Sequence, residues 1–388
     1  MKNVCEGWSL IEYPYINFEP DDSYGEQMRR WQGCPSVAVT KKGRLFASWY
    51  SGGAFEPCID NYNILVMSDD RGESWSAPIL TVSADREKRL RKIDIELWVD
   101  KANALWAMWV VSPYTEKSIA ATIKTPFECD YHRDFPYTEV MICRDPDADT
   151  LVWEKPRIMC EGFMRNKPII LTSGGRIIAP AYGYNDTEYK IRCSDNGGES
   201  FYTVSVPGKP AARVYDEITV CERRVGQVRF LARTKCGYYV ASDSRDGGST
   251  WTEATEYEKA PSSRCYLGRL KNGMIAYVRN VSDTKRAGIK ICLSADGADT
   301  FPYELMLDGR EGLSYPDLDE DENGNIYIVY DRERDNRVKL NKDTWISEAA
   351  KEILVCKITV DDVISGTLSE GSFTQRVISK AMINEVKA

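Results

Sequence analysis

Histidine, the usual proton shuttle and metal ligand of hydrolytic sites, occurs once in 388 residues, as His132 in the run Cys129-Asp130-Tyr131-His132-Arg133-Asp134. A histidine-based triad or a multi-histidine metal site is therefore nearly excluded, and His132 reads as a surface residue. The twelve cysteines are scattered singly, with no C-x-x-C pair. Cys193, Cys221, Cys265, Cys292 and Cys356 fall at strand-like positions and read as buried reduced thiols rather than as a disulfide framework or a zinc site. The acidic run from Asp317 to Glu322 lacks the spacing of a calcium loop and reads as a solvated loop. Chemistry in this chain must use carboxylates, tyrosines and arginines.

Composition limits the partners. A net charge of −8 and a pI near 5.1 argue against nucleic acid, although arginines that converge locally still allow an anionic small molecule to bind. Hydrophobic residues make up 43% of the chain, with ten tryptophans and 22 tyrosines, enough for a buried core. No apolar run approaches the length of a membrane span. The amino terminus, Met1-Lys2-Asn3-Val4-Cys5-Glu6-Gly7-Trp8, carries one basic residue and no apolar run, so a cytoplasmic location is expected.

The elements that must position the reactive groups show themselves by repetition. Ser244-Arg245-Asp246-Gly247-Gly248-Ser249-Thr250-Trp251 has the pattern S-x-D-x-G-x-[ST]-[WF], and so has Ser68-Asp69-Asp70-Arg71-Gly72-Glu73-Ser74-Trp75. Ser194 to Phe201 repeats it with Asn196 for the aspartate, and Ser294 to Phe301 repeats it without the second glycine. Each reads as a hairpin turn in which glycine supplies positive φ and the Ser and Asp oxygens bond the turn's own amides. Three copies start at 194, 244 and 294, and one interval earlier Arg144 to Thr150 looks like a decayed copy. A period of fifty residues in a chain of alternating strands is the signature of a β-propeller with one four-stranded blade per repeat.

Alternation of apolar and polar residues places the strands of six blades, in one domain over 1–388. Blade one runs from Pro35 to the first turn, and blade two carries Ile95–Asp100 and Leu105–Val111, with a surface excursion over 113–138. Blades three to six open near Lys167, Glu217, Arg264 and Tyr315. Residues 8 to 14 read as a short strand that completes the last blade and so closes the ring. Thr344 to Lys351 reads as a short helix capped by Asp343 or Thr344.

Asp boxes at blade period resemble the sialidase (neuraminidase) superfamily, and the order of further motifs extends the resemblance over most of the chain. Asp216-Glu217-Ile218-Thr219-Val220-Cys221-Glu222 leads to Phe230-Leu231-Ala232-Arg233, as a sialidase glutamate strand leads to an arginine. Lys285-Arg286-Ala287-Gly288-Ile289-Lys290 fits the family's next arginine, and Gly312-Leu313-Ser314-Tyr315-Pro316-Asp317 fits its tyrosine turn. Ala179 to Tyr184 looks like the substrate-side strand. The resemblance implies an exo-acting glycoside hydrolase that releases a terminal acidic sugar from a glycan with retention and needs no cofactor. Tyr315 is then the nucleophile, Glu217 its base, and Arg233 and Arg286 a clamp on the substrate carboxylate, with Tyr182 a sugar contact. A neutral phenol suits an anomeric carbon that bears a carboxylate, because an anionic nucleophile would be repelled there.

Two departures from the family pattern stand out. The first clamp arginine is expected within a Phe/Tyr-Arg-Ile-Pro motif, and here Trp31-Gln32-Gly33-Cys34-Pro35 puts Gly33 in its place; Gln32, Arg30 or Arg264 are the candidates to reach that space. The acid/base aspartate falls on Asp60, with Glu56 in reserve and Asp94 as an alternative from blade two. The missing arginine keeps open a hydrolase or lyase for another acidic or deoxy sugar, such as a uronide or a rhamnoside. A carbohydrate-binding propeller without catalysis is the reading of a different class.

Overall fold

The computed structural model describes residues 2–53, 56–57, 59–114, 136–183, 187–208, 215–333, 338–339, 344–346, 351–383 and 385–387. His132, Tyr184 and most of the expected excursion lie outside the described residues. The architecture is a six-bladed β-propeller of four-stranded antiparallel sheets.

Blade one pairs Trp31–Val39, Leu45–Gly52, Asn61–Ser68 and Leu80–Ser83, and blade two Leu90–Val99, Leu105–Pro113, Tyr137–Cys143 and Thr150–Trp153. Ile169–Ile170, Ile177–Ala179, Tyr189–Ser194 and Tyr202–Val206 make blade three; Thr219–Arg224, Gln227–Ala232, Tyr238–Ser244 and Thr255–Lys259 make blade four. Blade five has Tyr266–Arg269, Ile275–Asn280, Ala287–Ser294 and Tyr303–Glu311. Blade six has Leu313–Glu320, Asn325–Arg332, Glu352–Thr359 and Phe373–Lys380. The chain divides into two compact units, Met1–Ile158 with Asp331–Leu354 and Val377–Ala388, and Met159–Tyr330 with Val355–Arg376.

In the first unit Phe46, Leu65, Trp109, Met141 and Trp153 build an apolar cluster with almost no exposed surface. In the second, Cys221, Leu231, Tyr239, Cys265, Leu267 and Tyr277 do the same. The cysteines named from the sequence are buried and free, in keeping with their reading as small core residues.

All four repeated turns, and the decayed copy, join the third and fourth strands of a blade. In the copy at 244, Gly248 N donates to Ser244 Oγ (2.9 Å), Thr250 N to Asp246 Oδ1 (2.9 Å) and Trp251 Nε1 to Gly248 O (3.0 Å). The copy at 294 lacks the second glycine and puts Ala298 into the left-handed region instead, at φ 63°. Gly248 itself sits at φ 80°, and a Cβ there would meet Ile178 Cδ1 at 2.7 Å. Gly248→Ala is therefore expected to cost about 1–2 kcal/mol, read by thermal or urea unfolding, from left-handed strain and crowding together.

Hydrogen bonds from the hydroxyl and amide of Ser74 hold the Asp70 carboxyl at about 2, below its ordinary 3.8. A depressed carboxyl stabilises the fold fully above the ordinary value, and that contribution is lost as pH falls through the folded value. Acid unfolding of Asp70→Asn should thus lose part of the wild-type dependence between those two pH values, and an unchanged profile would remove the turn from the acid response.

Two expectations are corrected. Residues 8 to 14 do not form a strand: Leu10–Glu12 is a 3-10 turn whose cap, Ser9 Oγ, accepts from Ile11 N at 3.2 Å. Serine binds its own backbone here, which competes with strand pairing. The amino-terminal stretch instead gives Lys2–Cys5, parallel to Thr150–Trp153 of blade two, and Ile16–Asn17, antiparallel to Leu80–Ser83 of blade one. Thr344–Ile346 is a strand rather than the start of a helix, paired with Glu385–Lys387; residues 347–350 lie outside the described part. A six-residue helix does occur, at Val360–Ser365, with Thr359 and Asp362 forming a capping box. No helix among the described residues is long and apolar enough to cross a membrane.

Candidate active site

In blade four the antiparallel register pairs Thr219 with Leu231. Carried two residues toward the strand ends, the same register sets Glu217 opposite Arg233, and Arg233 N donates to Asp216 O at 2.7 Å. Their side chains meet as an ion pair, Arg233 Nη1 to Glu217 Oε2 at 2.7 Å, with both groups buried. Blade six supplies the third member. Tyr315 sits in the left-handed region of its strand, at φ 55°, and its hydroxyl donates to Glu217 Oε1 at 2.5 Å. Arg233 Nη1 also donates to that hydroxyl, at 3.2 Å. The nucleophile, base and one clamp arginine expected from the sequence are thus within hydrogen-bond reach of one another.

Burial alone would raise the Glu217 carboxyl. The Arg233 guanidinium, the hydrogen bond from Tyr315 and the charge of Arg165 outweigh it and hold the group below its ordinary 4.5. Glu217 is therefore an anion at neutral pH, able to accept the phenolic proton.

Arg286 enters at the start of the third strand of blade five. Its guanidinium carbon lies 5.4 Å from the centre of the Tyr315 ring, and Nη2 donates to Ser262 O at 3.2 Å. Its own carbonyl accepts from Gly312 N (2.8 Å) and Leu313 N (3.2 Å), so the arginine fixes the turn that leads into the tyrosine strand. Ser262 is shared, since its hydroxyl accepts from Arg233 Nε at 3.1 Å. Arg264 lies 5.6 Å from the same ring and donates to the carbonyls of Pro316 (2.8 Å) and Arg165. It acts as a strut for the backbone on both sides of the ring.

Tyr182 is buried and stacks on Phe163, centroids 5.5 Å apart and planes 22° apart, as their cross-strand pairing requires. In the first unit, Gln32 is buried and donates to Lys351 O at 2.8 Å while accepting from Ser379 Oγ at 3.3 Å. Asp60 is exposed and paired with Arg86 at 2.5 Å. Glu56 is half-buried, with Cys34 Sγ 3.8 Å away. Asp94 is half-buried at φ 57°, in a bulge between Ile93 and Glu96. Cys34, beside Gly33, has the same backbone form, at φ 58°. Among the described residues no three His, Cys, Asp or Glu side chains could hold a metal ion.

Sequence reasoning missed Arg165 and Ser262. Arg165 is 2% exposed, with its guanidinium carbon 5.3 Å from the Tyr315 ring centre. Its one sequence signal is an arginine just ahead of Pro168, where blade three opens. The acidic run also needs correction: Asp317 is wholly buried in a strand and faces Lys167 Nζ at 3.3 Å.

A family model described as a BNR repeat-like domain matches residues 43–328. Comparison with curated proteins finds no match. Among solved structures, the Hadza microbial sialidase Hz136 is 19% identical at TM-score 0.60, covering 79% of this chain and 64% of its own. The chain thus spans a little under two thirds of that protein. The NanB sialidase from Streptococcus pneumoniae is 14% identical at TM-score 0.64, covering 90% of this chain and 71% of its own. The intramolecular trans-sialidase from Ruminococcus gnavus is 15% identical at TM-score 0.64, covering 90% and 98%. At such identities the likeness is one of fold. The family model takes in most of the chain, and the protein belongs to the BNR repeat-like family.

Proposed function

We propose that this protein is an exo-acting glycoside hydrolase of sialidase type that removes a terminal acidic sugar with retention of configuration. One observation carries the reading: the Tyr315 hydroxyl bonded at 2.5 Å to a buried, ionised Glu217, with Arg233 bridging both. In the first step Glu217 takes the phenolic proton while the oxygen of Tyr315 attacks the anomeric carbon, the glycosidic bond breaks, and the leaving oxygen is protonated by an acid. In the second, water enters from the face the leaving group left and displaces the tyrosine, giving up its proton to the conjugate base of that acid while Glu217 returns the phenolic proton to Tyr315. Arg286 and Arg233 supply the charge that holds a substrate carboxylate.

Fluorogenic sialosides, uronides and rhamnosides assayed side by side test the proposal. Turnover of sialosides with an equatorially retained product supports it, and turnover confined to uronides or rhamnosides removes the sialidase label. Product analysis also separates transfer to water from transfer within the sugar, since a structural neighbour is an intramolecular trans-sialidase. Asp60→Asn and Asp94→Asn identify the acid: the variant that loses most on a poor leaving group and least on an activated one carries it.

Gly33, where a clamp arginine is expected, favours a second reading in which the sugar is another uronic or deoxy acid. A binding propeller without catalysis is the third, and it requires that wild-type protein bind glycans without turning any of them over. The partner in each case is a glycan.

A further inference from the structure

We infer that Arg165 is a third guanidinium of the carboxylate site, beside Arg233 and Arg286, and that this site selects an anionic sugar. The inference rests on the glycosidase reading above and adds to it a specificity residue from blade three.

The segment around Arg165 is fastened to three other blades. The Arg165 carbonyl accepts from Arg264 of blade five. Asn166 Nδ2 donates to Ile218 O of blade four at 2.9 Å. Lys167 Nζ donates to Leu318 O of blade six at 2.8 Å and pairs with Asp317 at 3.3 Å. A backbone held in this way leaves Arg165 little freedom, and preorganisation of this kind lowers the entropy lost on binding.

The guanidinium is held against the reactive phenol. Arg165, Arg264 and Arg286 have their guanidinium carbons 5.3, 5.6 and 5.4 Å from the Tyr315 ring centre. Arg233 reaches the hydroxyl of the same residue, whose bonded carboxylate is Glu217. Three guanidinium groups border one ring and a fourth, paired with Glu217, reaches its hydroxyl, so positive charge prevails there, and like charges in a poorly screened site repel until an anion enters. Arg264 is turned to backbone carbonyls of Pro316 and Arg165. Arg165 and Arg286, at 5.3 and 5.4 Å from the ring centre, make with Arg233 a three-arginine clamp drawn from blades three, four and five.

Arg165 is as buried as Glu217 and Tyr315, so low exposure does not set it apart from the reacting groups. Its placement also separates two roles: as a clamp it recognises the substrate carboxylate, whereas as a tuner it would act only through the phenol. A binding assay without the phenol distinguishes them.

The experiment measures binding in a Tyr315→Phe background by calorimetry. The probes are the 2,3-unsaturated derivative of sialic acid, the 4,5-unsaturated derivative of glucuronic acid, and the methyl ester of each. The parent should prefer an acid to its ester. Adding Arg165→Met should weaken binding of the acid by about 10–100-fold and leave the ester unchanged, as expected for loss of one charge-assisted bond. Arg165→Lys keeps the buried charge but not the fork; it should bind the acid between the two, which keeps the test alive should the methionine variant fold poorly. Arg286→Met gives the reference loss. If the parent prefers the acid and both Arg165 variants keep that preference in full, Arg165 is not part of the clamp, although the acidic-sugar reading stands. If the parent shows no preference for either acid over its ester, the acidic-sugar reading fails and the inference with it.

Discussion

Replacing Tyr315 with phenylalanine is expected to lower kcat on the order of 10⁴-fold or more while changing KM little, because the covalent route is lost and the binding groups remain. The substitution deletes one oxygen. The ring, buried and bordered by Arg165, Arg264 and Arg286, stays. Deletion removes the donor to Glu217 Oε1 and the second acceptor of Arg233 Nη1, while the Arg233–Glu217 pair persists. The fold should therefore survive, with a melting temperature close to that of the parent. Steady-state kinetics measures the loss. Mass spectrometry after reaction with a fluorinated sugar supplies the decisive check, since an adduct forms on the wild type and not on the variant. Full turnover by Tyr315→Phe would end the tyrosyl mechanism.

Glu217→Gln is expected to cost about 10²–10⁴-fold in kcat, the range for loss of a positioned general base. The amide matches the carboxylate in shape but accepts no proton, and it leaves Arg233 without its counter-charge in a buried setting. Breaking a buried pair from one side typically costs about 3–5 kcal/mol, so this variant should also melt well below the wild type, unlike Tyr315→Phe. The pH dependence gives an independent signature. Wild-type activity should hold down to the ordinary glutamate value of 4.5 and fall only below it, because Arg233, Tyr315 and Arg165 depress the group against its burial. The stability supplied by the charged pair follows the same sign: complete above that value, and lost as pH falls through the folded one. Glu217→Gln should lack both the acid limb and this loss, and its residual rate should rise with pH as the phenol ionises. A variant that keeps the acid limb would assign the limb to another group.

The scaffold was legible because its signal is local. The Ser68, Ser194, Ser244 and Ser294 turns each close on their own residues, through bonds such as Ser244 Oγ to Asp246 Oδ1 at 2.8 Å, so eight residues suffice to specify them. The proximity of Glu217 and Arg233 was nearly as legible, since they face each other across one hairpin and register settles the matter. Tyr315 was reached only through motif order, being 98 residues from Glu217. Arg165 was invisible for a physical reason: no local pattern distinguishes it, and its place depends on bonds from Arg264, Asn166 and Lys167 to segments far along the chain. The errors have the same origin. Thr344–Ile346 has a plausible helix cap but pairs with Glu385–Lys387, a long-range partner that overrides local preference. The strand expected over residues 8 to 14 gave way to a serine that prefers its own backbone.

Two residues in each compact unit, Cys34 and Asp94 in one and Glu217 and Tyr315 in the other, share an unusual left-handed backbone within or just before a blade's first strand. An L-residue in that form carries a penalty of about 1–2 kcal/mol, smallest for Asn and Asp. The contortion thus belongs to the main chain, and the sheet behind it need not be re-laid when the occupant is exchanged. The blades behave as sockets in which reagents can be swapped one residue at a time. If the proposed function holds, redesign toward a new sugar would begin with what the sockets at Glu217 and Tyr315 of the second unit hold, with the rest of each strand left alone.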